Sequence, residues 1–164
     1  MVLDHNKIYL LLGSNMGARL QLLDSAVKNI NNQIGEILDK SSVYETAAWG
    51  NTNQAGFLNV ALAVNTVLTP LEVLGKALEI EAGLGRIREE KWGARLIDID
   101  IIFYGNEIVN VQGSLCIPHP EMHNRRFVLE PLAEIAPDLE HPVLKKSVSA
   151  LLKELDDQLE VTKI

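Results

Sequence analysis

Residues 7–12, Lys-Ile-Tyr-Leu-Leu-Leu, form a continuous apolar run that stops at Gly13. A run this short reads as a buried strand. Gly13-Ser14-Asn15-Met16-Gly17 is a turn, and Leu20, Leu23, Val27 and Ile30 then recur at helical spacing until Asn31, Asn32 and Gly35. An extended stretch is expected from about residue 36 to residue 47, followed by a polar loop at Trp49-Gly50-Asn51-Thr52-Asn53. From Phe57 the pattern alternates. Leu58, Val60, Leu62 and Val64 face one way and Asn59, Ala61, Ala63 and Asn65 the other, which predicts a half-buried strand.

Thr69-Pro70-Leu71-Glu72 carries a capping threonine, a first-turn proline and a glutamate that completes a capping box. Leu71, Leu74 and Leu78 mark the expected buried face, and Gly83 and Gly85 the end. Residues 96–104 are β-branched and periodic, and Gly105-Asn106 turns the chain into a short strand at 108–111. Shorter helices are expected over 125–135 and 147–155. The order strand, helix, strand, strand, helix, strand predicts an α+β fold. Its expected form is a ferredoxin-like βαββαβ sandwich with extra C-terminal helices and a short hairpin, in a single domain over residues 1–164.

Composition narrows the class. The 164 residues are 47% hydrophobic and 23% charged, with a net charge of −7. That balance argues against a broad nucleic-acid surface, though not against a local phosphate pocket. No apolar run approaches the ~20 residues of a membrane span. The N-terminus lacks the basic and apolar regions of a signal peptide. Cys116 is the one cysteine, so a reducing, cytoplasmic setting is expected, with Cys116 as a small core residue beside Ile117.

The sharpest chemical signal is Asp98-Ile99-Asp100. Residues two apart on a strand share a face, about 6.6 Å apart along the chain. Two carboxylates together suit Mg²⁺ held with substrate phosphates; a solvated strand face with two ordinary aspartates is the alternative. Beside them, Arg86, Arg88, Lys91 and Arg95 place four of fifteen basic residues within ten positions. Guanidinium groups next to a metal pair suit a triphosphate, while Glu89 and Glu90 leave a solvated charged loop open. Trp92 either closes over a flat ligand or packs on the core. His119, His123, Arg125, Arg126 and Phe127 form a second cluster. Pro120 keeps a helix from running on from His119 and the order is not that of zinc hydrolases, so polyphosphate contacts suit the cluster better. Gly13-Ser14-Asn15-Met16-Gly17 lacks the lysine of a P-loop and reads as a strand-to-helix turn.

Together these residues resemble the 6-hydroxymethyl-7,8-dihydropterin pyrophosphokinases of folate biosynthesis. The resemblance runs over about residues 8–138. It is carried by Leu12-Gly13-Ser14-Asn15, Ser42-Val43-Tyr44-Glu45-Thr46, Phe57-Leu58-Asn59, Glu81-Ala82-Gly83-Leu84-Gly85-Arg86, Trp92-Gly93-Ala94-Arg95-Leu96-Ile97-Asp98-Ile99-Asp100, Pro118-His119-Pro120 and Asn124-Arg125-Arg126-Phe127-Val128-Leu129. It implies that Asp98 and Asp100 hold two Mg²⁺ ions on ATP, that Arg86 and Arg95 stabilise the transferring phosphates, and that His119 and Arg125 grip other phosphate oxygens. Glu81 would border the nucleotide, with Ile99 and Ile101 near the adenine. Phe57 and Phe127 would sandwich the pterin, and Asn59 would pair with its edge together with backbone groups at Thr46, Ala47 and Ala48. Trp92 and Arg88 would belong to a closing loop. A monomer acting on ATP and the pterin alcohol is implied, without nucleic acid or membrane.

Two departures stand out. Ala47-Ala48 replaces a proline common after the Tyr-Glu-Thr segment, and Phe57 stands where some members carry tyrosine. Two other classes share parts of the pattern. A metal-dependent nucleotidyl- or phosphotransferase on another acceptor would share Asp98, Asp100 and the arginines, and a simple kinase among these would release ADP rather than AMP; a ferredoxin-like ligand sensor or RNA-binding module would show no turnover.

Overall fold

In the computed structural model of the chain, residues 4–15, 18–46, 56–85, 97–156 and 160–164 are described. The apolar run at the start becomes β1 (Asn6–Ser14) and the first helical pattern α1 (Arg19–Gln33). Then follow β2 (Gly35–Lys40), β3 (Tyr44–Thr46), β4 (Phe57–Thr66), α2 (Pro70–Gly85) and β5 (Asp98–Tyr104). A hairpin of β6 (Val109–Val111) and β7 (Leu115–Ile117), a short 3₁₀ turn (Met122–Asn124), α3 (Arg126–Ile135), α4 (Val148–Glu154) and β8 (Val161–Lys163) complete the order. The main sheet runs β5-β1-β4-β3-β8, with β2 also beside β4, and its pairs are antiparallel. It is a mixed α/β architecture built on an antiparallel sheet.

Both faces of the sheet are covered. Leu10, Leu12, Leu62 and Val64 pack with α1 and α2, while Tyr9, Leu11, Ala61 and Ala63 pack with α3 and α4. The alternation in β4 therefore marks two buried faces rather than one. Alanines at 61 and 63 are small enough to lie beneath a second helical layer. In β5 the register shifts opposite Tyr9 and Leu10, so Ile102 and Phe103 both join the second core.

The expected extended stretch is broken at 41–43. The Ser41 hydroxyl accepts the Ala61 N–H at 2.8 Å, where a continuous ladder would use a carbonyl. The capping box forms as expected, with Glu72 N–H to Thr69 Oγ1 at 3.2 Å and Thr69 N–H to Glu72 Oε1 at 2.9 Å. Of the leucine stripe, Leu74 packs partly buried against the core, but the buried face is centred elsewhere. Val73, Ala77 and Ile80 face the sheet, whereas Leu71 and Leu78 are exposed. At 100° per residue those leucines lie about 140–160° round the helix from Val73. In α1, Leu20 sits a turn before Leu23 and stays exposed. Cys116 is exposed too, because the hairpin turns Ile117 inward instead.

His141 sits buried against the second core, with the Phe103 ring centroid 5.8 Å away. Its Nδ1 accepts the N–H groups of Val143 (3.2 Å) and Leu144 (3.0 Å), so the ring is neutral. Burial lowers its pKa, and His123 nearby lowers it further. A folded-state value below the unfolded one of about 6.5 means that the unfolded chain binds the extra proton first. Stability from this group is complete above about pH 6.5 and is lost as pH falls through the folded value. His119 shares the sign, so the comparison must be made within the pair. Thermal melts from pH 7.5 to 5 should fall less steeply for His141→Asn, which can accept the same two donors but does not titrate. Parallel curves for variant and native chain would refute this.

Candidate active site

The sheet face beneath α3 carries the polar residues. Gly13 of β1 lies opposite Asn59 on one side and Asp98 on the other, and Leu11 lies between Ala61 and Asp100. Cross-strand partners share a face. Farther out, Tyr44 lies opposite Asn59 and Thr46 opposite Phe57. Thr46, Phe57, Asn59, Asp98 and Asp100 thus belong to one surface, continuous with the core on which Phe127 of α3 packs.

At one end, β5 is an edge strand. Asp98 is half-buried, Ile99 buried and Asp100 exposed. The outward Ile99 N–H donates to Glu81 Oε2 at 2.6 Å, which fixes the end of α2 to this edge. Beside it lies a cavity of about 410 Å³ lined by Ile99, Asp100, Ile101, Asn110, Ser114 and His119, among others. The His119 N–H donates to the Ile102 carbonyl (3.1 Å), and His119 Nδ1 accepts the Glu121 N–H (3.2 Å).

At the other end, Asn59 and Thr46 are each only 4% exposed. Asn59 Nδ2 donates to the Leu12 carbonyl at 3.1 Å. Asn59 Oδ1 and Thr46 Oγ1 are buried without a hydrogen-bond partner, an arrangement that is costly unless a ligand completes it. Gly13 leaves room for this amide: a Cβ on it would come 2.7 Å from Asn59 Nδ2 and push it off this position. Phe57 is 41% exposed, free to offer a ring face. Arg125 stands at the N-cap position of α3 without a side-chain capping bond, and its guanidinium lies 5.7 Å from the Phe127 ring centroid.

The family model described as 7,8-dihydro-6-hydroxymethylpterin-pyrophosphokinase (HPPK) matches residues 9–137. The chain belongs to this family. A 2-amino-4-hydroxy-6-hydroxymethyldihydropteridine pyrophosphokinase of Methylorubrum extorquens is 46% identical over 134 residues, covering 81% of this chain and 84% of that protein. An enzyme of the same name from Aquifex aeolicus is 42% identical over 139 residues, covering 85% and 86%. Among solved structures, Plasmodium falciparum HPPK-DHPS with pterin and p-hydroxybenzoate superposes with a TM-score of 0.75 at 18% identity. It matches 93% of this chain, which spans 43% of the Plasmodium chain, and at that identity the likeness shows the fold alone.

In this HPPK, the surroundings of His119 set its charge. Burial lowers its pKa most, Asp100 and Glu121 work against that, and Arg125 adds to it. With Nδ1 accepting from Glu121, the proton of the neutral ring sits on Nε2, as a donor. Of the residues expected to act, Ile99, Asp100, Ile101 and His119 meet at the cavity, Thr46, Phe57 and Asn59 lie together across β3 and β4, and Phe127 packs on the second core beside Arg125. Glu81 turns its carboxylate to the Ile99 backbone. Arg86, Arg88, Trp92, Arg95, Ala47 and Ala48 lie outside the described residues.

Several residues had no signal in the pattern. Asn110, Ser114 and Cys116 reach the cavity from the hairpin. Arg19 donates to Glu45 Oε2 and to the Gly56 carbonyl, both at 2.7 Å, and so joins β3 to the residue preceding β4.

Proposed function

We propose that this chain transfers a pyrophosphoryl group from ATP to 6-hydroxymethyl-7,8-dihydropterin, releasing AMP and forming the pterin diphosphate used in folate synthesis. The observation that carries the reading is the shared sheet face. Two carboxylates at the β5 edge and two unpartnered buried oxygens, Thr46 Oγ1 and Asn59 Oδ1, belong to one surface.

The donor set fits Mg²⁺. Among the described residues no cluster of three or more histidine, cysteine or carboxylate groups could hold a metal alone. Mg²⁺ characteristically takes one or two carboxylates and completes its shell with water and phosphate. Asp98 and Asp100 would hold two such ions. Bound there, the metal supplies charge neutralisation for the phosphates and acidifies the attacking hydroxyl. The chain's own groups do the rest. His119 donates from Nε2 to a phosphate oxygen, and Arg125 adds fixed positive charge. Arg86 and Arg95 meet the charge that develops on the transferring group. Phe57 and Phe127 hold the pterin faces, while Asn59 Oδ1 and Thr46 Oγ1 accept from its edge. The alcohol is thereby aligned for in-line attack on the β-phosphorus. The adenine lies in the cavity beside Ile99 and Ile101.

The strand order β5-β1-β4-β3 with helices after β1 and β4 supports reading the core as the ferredoxin-like βαββαβ sandwich. We read residues 1–164 as one domain working as a cytoplasmic monomer without nucleic acid. No described helix is long and apolar enough to cross a membrane.

Incubation with ATP, Mg²⁺ and the pterin alcohol, followed by separation of nucleotides, should give AMP and pterin diphosphate in equal amounts. ADP as the product would replace this reading with that of a simple kinase.

A further inference from the structure

Glu134 lies seven residues after Phe127, on the same side of α3 two turns on, about 10 Å along the axis. Its carboxylate joins three elements. Oε1 accepts the Tyr44 hydroxyl at 2.6 Å, and Oε2 accepts the Ser42 N–H at 3.0 Å and hydroxyl at 3.1 Å. Lys163 Nζ of β8, the strand paired on the outer edge of β3, lies 3.8 Å from Oε1. Tyr44 is buried, lies opposite Asn59 across the ladder and is two residues from Thr46. One side chain thus ties the far end of the helix that carries Phe127 to the strand that carries Thr46.

Val128, Leu129 and Leu132 pack α3 onto the sheet, and Glu134 adds a polar tie at its far end. Pro131 has no N–H to return to the carbonyl of Phe127, so the first turn of α3 lacks one bond of its ladder and that tie is one more constraint on the helix. Burial pushes the Glu134 carboxyl up, but the Tyr44 and Ser42 donors and nearby Lys163 outweigh this and hold it below its ordinary value. Burial, and then Glu134 itself, raise the Tyr44 phenol, so it remains a donor. The mechanism above uses neither residue.

We propose that Glu134 is a positioning residue for the pterin: by fixing α3 to β3 through Tyr44 and Ser42, it sets the gap between the Phe127 ring and the Phe57–Asn59–Thr46 side. The proposal rests on the reading that these four residues hold the pterin.

The test compares ligand affinities in the full chain. Pterin-alcohol Kd is read from pterin fluorescence and ATP Kd from calorimetry with Mg²⁺. Glu134→Ala should raise pterin Kd about tenfold and leave ATP Kd within about twofold. Glu134→Gln, which keeps one acceptor for Tyr44, should fall between. In a Phe127→Ala background the Glu134→Ala effect should largely vanish, because it acts through that ring. An unchanged pterin Kd, equal losses for both ligands, or full additivity with Phe127→Ala would overturn the proposal. Should Glu134→Ala not fold, Tyr44→Phe carries the same test: a pterin-selective loss supports it and none overturns it. A native chain that bound no pterin alcohol, either alone or with Mg²⁺ and a non-hydrolysable ATP analogue present, would refute the functional reading itself, before any variant is compared.

Discussion

Asp98→Ala and Asp100→Ala should each lower AMP formation by at least about 10²–10³-fold while leaving the fold intact. The two effects are separable because of where the carboxylates sit. Asp100 is exposed and Asp98 half-buried on an edge strand whose apolar residues, Ile99 and Ile101, point into the other core. Removing the exposed Asp100 carboxylate costs within about 0.5 kcal/mol of stability. The loss in turnover comes from elsewhere. Two like charges on one face are favourable only when something positive shares them, and the His119 donor beside them is neutral. Without the carboxylates, the charge on the phosphates falls to the guanidinium groups alone. Because the loss lies in the transition state, kcat should drop more than ATP affinity, and saturating Mg²⁺ should not restore it. Rates within about twofold of native in both variants, at unchanged melting temperature, would remove the carboxylates from the chemistry.

How much of this was legible depends on the range of the interaction. Local signals came through: the apolar run of β1, the Thr69–Glu72 capping box and the strand bearing Asp98 and Asp100 each rest on neighbours within a few residues. Helix faces were less legible. The leucines at 71 and 78 are the larger apolar residues of α2, yet Val73 and Ala77 face inward, because the sheet receives a close-packed narrow stripe. The alternation in β4 could not reveal a second helical layer, since α3 and α4 come sixty or more residues later. The carboxylate pair, the basic cluster and the His119–Phe127 segment stood out by pattern, whereas their individual roles and the residues Thr46, Phe57, Asn59 and Glu81 were named through resemblance, and the fold explains why pattern alone could not assemble them. Asn59 meets Leu12 across 47 residues, and Tyr44 meets Glu134 across 90. The hairpin residues at the cavity carried no charge or periodicity to mark them. Cys116 was misplaced because its neighbour Ile117 took the inward position.

Asn59 gives the other large effect. Its Nδ2 is committed to the Leu12 carbonyl, which can only accept, so the amide has one permitted orientation. The close approach over Gly13 then holds the side chain in place. Oδ1 is left as a buried acceptor of fixed direction. Such a group discriminates strongly, because a ligand without the matching donor leaves it unpaired. Asn59→Ala should raise pterin KM about 10²-fold with ATP KM unchanged. The lost strand-to-strand bond should cost about 1 kcal/mol of stability, so assays belong well below the melting temperature. A second comparison isolates the acceptor. An analogue with an oxo group in place of the pterin 2-amino group presents an acceptor where a donor stood. The native chain should reject it, whereas Asn59→Ala, having no oxygen to oppose it, should treat the two pterins nearly alike. If the variant kept native pterin KM, or the native chain accepted both pterins equally, the ring's donor edge would have to lie away from β4. Among the described residues, Thr46 Oγ1, the other unpartnered buried oxygen, would then be the next acceptor to examine.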